Sequence, residues 1–81
     1  MDITVELHGV LCRLAGADEI KLELAETSTV ADALAALEQR VPMLAERLPV
    51  TACAVGEEIV GRRHVLEEGV RLVLIPPVSG G

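Results

Sequence analysis

The spacing of hydrophobic residues changes along the chain, and these changes restrict the folds that it can adopt. Residues 2–7 (DITVEL) and 18–26 (DEIKLELAE) alternate apolar and polar side chains, which is typical of strands with one buried face. Between residues 30 and 41 the apolar side chains instead recur at steps of four, three and four, which indicates one amphipathic helix. A chain of 81 residues with this order of segments is predicted to fold as one domain, in which a single main helix crosses a small mixed sheet.

Local signals mark the ends of these elements. Thr29 is predicted to cap the helix, with Asp32 in an Asp version of the capping box, and Pro42 is predicted to end it. Two short strands, TACAV and EIV, flank a turn at Gly56, and the final strand is VRLVLI at 70–75. Because this last strand is apolar on both faces, it is expected at the centre of the sheet. The order of elements predicts the α+β class and the β-grasp, or ubiquitin-like, arrangement.

The composition argues against several classes of function. The chain has no Phe, Tyr or Trp on which bases could stack, and its formal net charge of -6 disfavours contact with phosphate backbones, so no nucleic-acid partner is expected. The first residues alternate in polarity instead of forming a signal peptide, and no stretch is long enough to cross a bilayer. Because Cys12 and Cys53 are the only cysteines, reduced thiols, a cytoplasmic location and no membrane association are predicted.

Few side chains are candidates for chemistry. His8 and His64 are the only histidines, and zinc would need more ligands than the chain offers, so no metal site is expected. A solvated loop is favoured over a catalytic role for His64, while Cys53 and Met43 are predicted to be small and gap-filling members of the core. No glycine-rich phosphate loop is present, and no nucleophile, base and oxyanion hole occur together, which disfavours a freestanding enzyme.

The stretch PPVSGG follows the last strand and divides the chain into a domain at 1–75 and an extended tail at 76–81. Its two prolines fix their φ angles and favour an extended, polyproline-like backbone, so the tail is expected to project from the domain. The serine and the two glycines have almost no bulk, which would let a terminal carboxylate enter a channel too narrow for larger side chains. The α-carboxylate of Gly81 is therefore the candidate reactive group, and a frayed chain end is the alternative.

The last strand also predicts a docking surface beside the tail. If its alternate residues face the helix, Val73 and Ile75 face outward, and an apolar patch in that place is typical of an interface. The expected members are Val73 and Ile75 beside Leu7 or Ile59, with Arg62, Arg63 and Arg71 at the rim. Singly scattered aliphatic residues without a function are the alternative.

Together these segments resemble the ubiquitin-like sulfur-carrier family (MoaD/ThiS), most closely the small subunit of molybdopterin synthase. The similarity covers nearly the whole length and rests on VLCRLAG, TVADALAAL, CAVGEEIV, LEEGV and above all VLIPPVSGG. A strand that runs into this ending on a β-grasp domain is much more specific than a bare Gly-Gly. The sequence departs from the family at Gly56, where Asn is frequent, and at Ile75, where an aromatic residue is frequent. The second departure alters the surface that partners would contact.

The resemblance implies the chemistry of the tail and its partners. A ubiquitin-activating-like adenylyltransferase (MoeB-like) would adenylate the terminal glycine with ATP and Mg, and a sulfur donor enzyme would convert it to a thiocarboxylate. The tail would then insert into the large subunit of molybdopterin synthase (MoaE-like), where sulfur passes to a pterin precursor of the molybdenum cofactor. By position, Gly81 corresponds to the acyl carrier, Gly80 to its slim neighbour, and Pro76, Pro77, Val78 and Ser79 to the guided tail. The chain itself is expected to bind no cofactor and to be the non-catalytic, sulfur-donating subunit of a transferase.

Three other functions stay open on the sequence. A sulfur carrier for another acceptor would serve thiamin, thiolated-tRNA or cysteine synthesis, although the thiamin carriers are shorter and generally lack Pro-Pro. A protein modifier would form an isopeptide bond between Gly81 and lysines of its targets. An interaction module would use the domain without any reaction at the tail.

Overall fold

Five strands and two α-helices form the part of the chain that the structure, a computed structural model, describes, which is residues 1–77. The strands are β1 (Asp2–Leu7), β2 (Glu19–Glu23), β3 (Ala52–Val55), β4 (Glu58–Val60) and β5 (Arg71–Ile75). The helices are α1 (Val10–Ala15) and α2 (Val30–Arg40), and two 3-10 turns, Pro42–Leu44 and Leu48–Val50, connect α2 to β3. No helix within this range is long and apolar enough to span a membrane.

The strands form one mixed sheet in the order β2-β1-β5-β3-β4. Strand β1 pairs antiparallel with β2 and parallel with β5, while β3 pairs antiparallel with both β5 and β4. The final strand therefore lies at the centre, as its two apolar faces predict. The predicted α+β class and β-grasp arrangement are confirmed.

Helix α2 begins and ends where its local signals predict. The hydroxyl Oγ1 of Thr29 accepts a hydrogen bond from the backbone N–H of Asp32 at 3.3 Å, and Asp32 Oδ2 accepts one from the backbone N–H of Thr29 at 2.8 Å. This reciprocal pair satisfies two backbone donors that the first turn leaves free. The helix ends at Arg40, and Pro42 opens the following 3-10 turn.

The core lies between α2 and one face of the sheet and is built without aromatic side chains. Its sheet residues are Ile3, Val5, Leu7, Leu22, Cys53, Leu72 and Leu74, and its other residues include Leu11, Val30, Ala33, Leu34, Leu37, Leu44, Leu48 and Leu66. Each fully buried Leu, Ile or Val contributes about 1.5–3 kcal/mol, so the number of aliphatic side chains compensates for the missing aromatic residues. Cys53 is buried here as predicted.

Met43 does not belong to the core, and that prediction is wrong. Its side chain is 65% exposed, whereas its neighbour Leu44 is fully buried. The cause is the 3-10 turn Pro42–Leu44, which packs against α1 and α2 through Leu44 and leaves the preceding side chain on the outside.

Candidate functional site

The tail leaves the sheet from its central strand at a fixed point. Because β1 and β5 are parallel, with Leu7 opposite Leu74, the turn that follows β1 lies next to the end of β5. Gly9 in this turn has φ 56° and ψ -129°, and a Cβ added to it would lie 3.4 Å from Cγ of Pro76. Only glycine adopts this backbone conformation readily, and its missing side chain lets Pro76 pack against the turn.

The two prolines of the tail are the last residues described. Pro76 is half-buried and Pro77 is exposed, and neither belongs to a helix or strand. Four of the predicted tail residues lie outside the described range: Val78, Ser79, Gly80 and Gly81. We call residues 76 and 77 the root of the tail. This root follows a strand that is hydrogen-bonded on both sides, which fixes the direction in which the tail begins.

The outer face of the sheet, opposite the core, carries an apolar half beside the tail. Val73, Ala54 and Ile59 are register partners across β5, β3 and β4 and form one row, and Ile75 and Ala52 form the next. Ile59 is 67% exposed and Ile75 is 41% exposed, while Val73 is half-buried. We call these five residues, Ala52, Ala54, Ile59, Val73 and Ile75, the apolar face. The register thus brings together three of the residues that the sequence predicts as an interface.

The other half of the outer face is polar and internally paired. Arg71 Nη1 donates to Glu6 Oε1 at 3.0 Å and to Glu19 Oε2 at 2.7 Å. Glu6 also contacts His8 Nε2 through its second oxygen at 2.5 Å. The bond with His8, and to a smaller extent that with Arg71, holds the pKa of the Glu6 carboxyl below its usual range. Partial burial of the carboxyl acts in the opposite direction and does not outweigh these bonds. Arg71 therefore lies at the edge of the apolar face, and its charge is already paired with two carboxylates.

Three other predicted interface residues lie elsewhere. Leu7 is 1% exposed and belongs to the core, because it alternates with the outward-facing Glu6 and lies on the same side as Val5. Arg62 donates from Nη2 to the backbone oxygen of Leu48 at 2.7 Å, and its Nη1 lies 3.6 Å from Sγ of the buried Cys53. Its guanidinium thus lies toward the core side of the sheet instead of at the rim of the apolar face. Arg63 is exposed.

A concavity of about 540 Å³ adjoins the root of the tail. It is lined by His8, Gly9 and Val10, by Arg13 and Arg47, and by residues 75–77, and we call it the tail-root groove. Sequence reasoning missed Arg13 and Arg47 because they are 34 positions apart, one on α1 and one between the two 3-10 turns.

The remaining candidate side chains form no reactive group within residues 1–77. No cluster of three or more His, Cys, Asp or Glu side chains suited to a metal ion occurs there. Burial raises the pKa of the Cys53 thiol, and Arg62 offsets this only in part, so the thiol stays protonated at neutral pH. His64 is exposed in the loop after β4, where its backbone oxygen accepts a hydrogen bond from Val30 at 2.9 Å.

The β-grasp sheet and its central final strand define a ubiquitin-like protein. Within that class, the model of the ThiS family matches residues 5–81, and the chain belongs to this family. The predicted resemblance to the ubiquitin-like sulfur carriers is thereby confirmed at the level of the family. No curated protein matches the chain in sequence.

Solved structures of several proteins have the same fold. Small archaeal modifier protein 1 (SAMP1) from Haloferax volcanii superposes with a TM-score of 0.92 at 27% identity, with 100% of both chains covered. A putative molybdopterin converting factor subunit 1 from Pyrococcus furiosus gives 0.86 at 24% identity, over 96% of this chain and 99% of the other. A chain in the complex of subunits 1 and 2 of molybdopterin-converting factor from Helicobacter pylori gives 0.70 at 24% identity, with both chains fully covered. A protein of the same fold thus occurs in complex with a partner subunit.

Proposed function

We propose that the chain carries sulfur as a thiocarboxylate on Gly81 and donates it to a pterin precursor, as the small subunit of molybdopterin synthase. The observation that supports this most directly is the root of the tail. Pro76 packs against Gly9 at the end of a central strand, and the apolar face begins at the same point with Ile75. A partner that docks on this face would meet the tail at a defined position and direction.

The proposed chemistry needs only the α-carboxylate from this chain. The carboxylate of Gly81 attacks the α-phosphorus of ATP and displaces pyrophosphate, which leaves an acyl-adenylate. Sulfide, or an equivalent reduced sulfur from a donor enzyme, then attacks the acyl carbon and displaces AMP, so one oxygen of the carboxylate is replaced by sulfur. The enzymes that bind ATP and Mg and that deliver the sulfur are separate proteins in this proposal. Consistent with that division, the described residues offer a fixed start of the tail at Pro76 and an apolar face beside it.

The apolar face has the composition expected of a small obligate or recurrent interface. It is aliphatic and lies beside the tail, and its border carries the bonded group of Arg71, Glu6 and Glu19, which keeps a net negative charge. Because paired charges are still costly to take out of water, a partner is expected to cover the aliphatic residues and to leave this border in contact with solvent. We propose the large synthase subunit as that partner. The aliphatic Ile75 in place of an aromatic residue fits a shallower complementary pocket.

Intact-mass measurement tests the carrier function. The chain is incubated with the adenylating enzyme from the same genome, ATP, Mg and a sulfur donor, and Gly81 is expected to gain the mass of a sulfur-for-oxygen exchange. A variant with one alanine added after Gly81 is the matched control, because it keeps the domain and removes the glycine carboxylate. An unchanged mass of the unmodified chain, under conditions that convert a known carrier, would contradict every sulfur-carrier function.

A protein-modifier function is the second candidate, and the similarity to SAMP1 over the whole of both chains favours it. In this case the acyl-adenylate would react with a lysine amine of a target and form an isopeptide bond. Affinity-tagged chain expressed in its native cell would then show Gly81 linked to lysines of several proteins. A thiocarboxylated chain that converts pterin precursor with the large subunit, without such adducts, would support the first candidate instead.

A further inference from the structure

Some basic side chains of the chain form hydrogen bonds with other residues, and others do not. Of the seven Lys and Arg residues, four have side-chain hydrogen bonds: Lys21 to Thr4, Arg40 to Lys21, Arg62 to Leu48, and Arg71 to Glu6 and Glu19. Among residues 1–77, Arg13, Arg47 and Arg63 make no side-chain hydrogen bond or ion pair. Two of these three, Arg13 and Arg47, line the tail-root groove.

The two arginines lie in the same groove although the chain as a whole is acidic. The chain has 13 Asp and Glu residues, yet none of them lines the groove, whereas Glu6, Asp18 and Glu19 line a separate concavity on the other side of His8 and Gly9. Two positive side chains in one concavity repel each other, and an anionic group that enters the concavity stabilises both of them. The position of Arg13 in the last turn of α1 is favourable for its short helix, but Arg47 has no such local reason.

We infer that the tail-root groove is a docking site for a carboxylate-bearing segment of the enzyme that adenylates Gly81. The inference rests on the proposed function. The position of the groove supports this inference, because Gly81 is four residues beyond Pro77 and can be at most about 14 Å from it at full extension. An enzyme that holds the end of the tail must therefore also cover the surface at its root.

The lining of the groove favours a protein carboxylate over a nucleotide phosphate. Arginine forks bind either group. However, Val10, Ile75 and Pro76 add apolar surface beside the two arginines, which fits the methylene groups of a Glu or Asp side chain. The phosphate of the acyl-adenylate is bonded to Gly81 itself and not to the root of the tail. The groove adjoins the apolar face through Ile75, so one enzyme surface can contact both.

Steady-state kinetics of the adenylating enzyme from the same genome test the inference. Pyrophosphate exchange is measured with the unmodified chain, with the double variant R13E/R47E, and with the single variants R47E and R63E. R63E is the matched control, since Arg63 is also exposed and unbonded among the described residues but does not line the groove. We expect R13E/R47E to raise the KM for the carrier by about tenfold or more, with kcat and the KM for ATP unchanged. R63E is expected to stay within about twofold of the unmodified chain.

Two further measurements separate charge from shape. The conservative variant R13K/R47K keeps both charges, and it is expected to retain most of the affinity that R13E/R47E loses. The KM of the unmodified chain is expected to rise with salt, and that of R13E/R47E to be insensitive to it or to fall. Thermal melting of each variant checks that the fold is intact.

The outcomes distinguish this inference from the function on which it rests. If the unmodified chain is not adenylated at all, the proposed function fails and this inference fails with it. If the unmodified chain is adenylated and R13E/R47E behaves like R63E, the groove is not a docking site and only this inference is overturned. A higher KM for ATP with an unchanged KM for the carrier would mean that the arginines serve the nucleotide, which also overturns it.

Discussion

Gly9 is the residue on which the position of the tail depends most. Its φ of 56° with ψ of -129° is a conformation that side chains strongly disfavour, and it faces Cγ of Pro76. Gly16 at the end of α1 also has positive φ, at 70°, but nothing lies within 4 Å of a Cβ added there. A substitution at Gly16 therefore introduces backbone strain alone, whereas one at Gly9 introduces strain and also disturbs the contact with Pro76.

Replacing Gly9 with alanine is expected to lower the free energy of unfolding by about 1–3 kcal/mol, and to slow adenylation further because Pro76 is displaced. Gly16→Ala is the control. It is expected to cost about 1–2 kcal/mol through its left-handed backbone alone and to leave the adenylation rate unchanged. Urea denaturation and pyrophosphate exchange measure the two effects. Equal adenylation rates for both variants would show that Pro76 does not depend on Gly9 for its position.

The Glu6 carboxylate gives the outer face a pH dependence with a definite sign. Because its pKa is lower in the folded chain than in the unfolded chain, the stabilisation by His8 and Arg71 is present above the ordinary Glu pKa. It is lost as the pH falls from about 4.3 through the lowered value. We expect a titration of Glu6 by NMR to have a midpoint below the ordinary Glu value of about 4.3. The stability of Glu6→Gln should also fall less on acidification than that of the unmodified chain; equal slopes would contradict the pairing.

At the scale of the elements, local chemistry determines α2. Its capping box joins Thr29 and Asp32, and both hydrogen bonds are made within four residues of sequence. Thr29→Ala is expected to lower the free energy of unfolding by about 0.5–2 kcal/mol, because the N–H of Asp32 loses its acceptor. Gln39→Ala, on the exposed face of the same helix, is the control and should change stability little. A melting curve for Thr29→Ala that matches the control would mean that packing alone fixes the start of the helix.

Features determined by neighbouring residues could be predicted from the sequence, whereas features that depend on distant contacts could not. Strand alternation, the helical stripe and the cap act over a few residues, so β1, β4, α2 and the central position of β5 were predictable within a residue or two. The outer row of Val73 and Ile59 follows from alternation combined with topology. Arg62 and Met43 were misplaced because their side-chain positions depend on the two 3-10 turns, which have no strong periodic signal. The tail-root groove was missed since it joins residues that are brought together by the parallel pairing of β1 with β5 and by the packing of the first 3-10 turn against α1.

At the scale of the whole molecule, the surface around the tail has three parts with different character. The apolar face lies on one side of the tail root, the tail-root groove adjoins it, and the acidic concavity beyond His8 and Gly9 borders the groove. In the proposed function, the large synthase subunit and the adenylating enzyme would both hold the tail, and we therefore expect them to compete for this end of the sheet.

The apolar face can be tested apart from the tail at Ile59, which lies on the edge strand β4 and is 67% exposed. Ile59→Glu should leave the melting temperature nearly unchanged, because little surface is buried there in the free domain. Its affinity for the large synthase subunit should nevertheless fall by about tenfold or more, since a charge in an aliphatic interface is desolvated without a partner. Met43→Glu is the matched control: its side chain is 65% exposed, but its turn packs against the helices on the opposite side of the sheet. Titration calorimetry of both variants with the large subunit measures the difference. Equal affinities would show that this part of the outer face stays uncovered, and that the tail and its immediate root hold the complex by themselves.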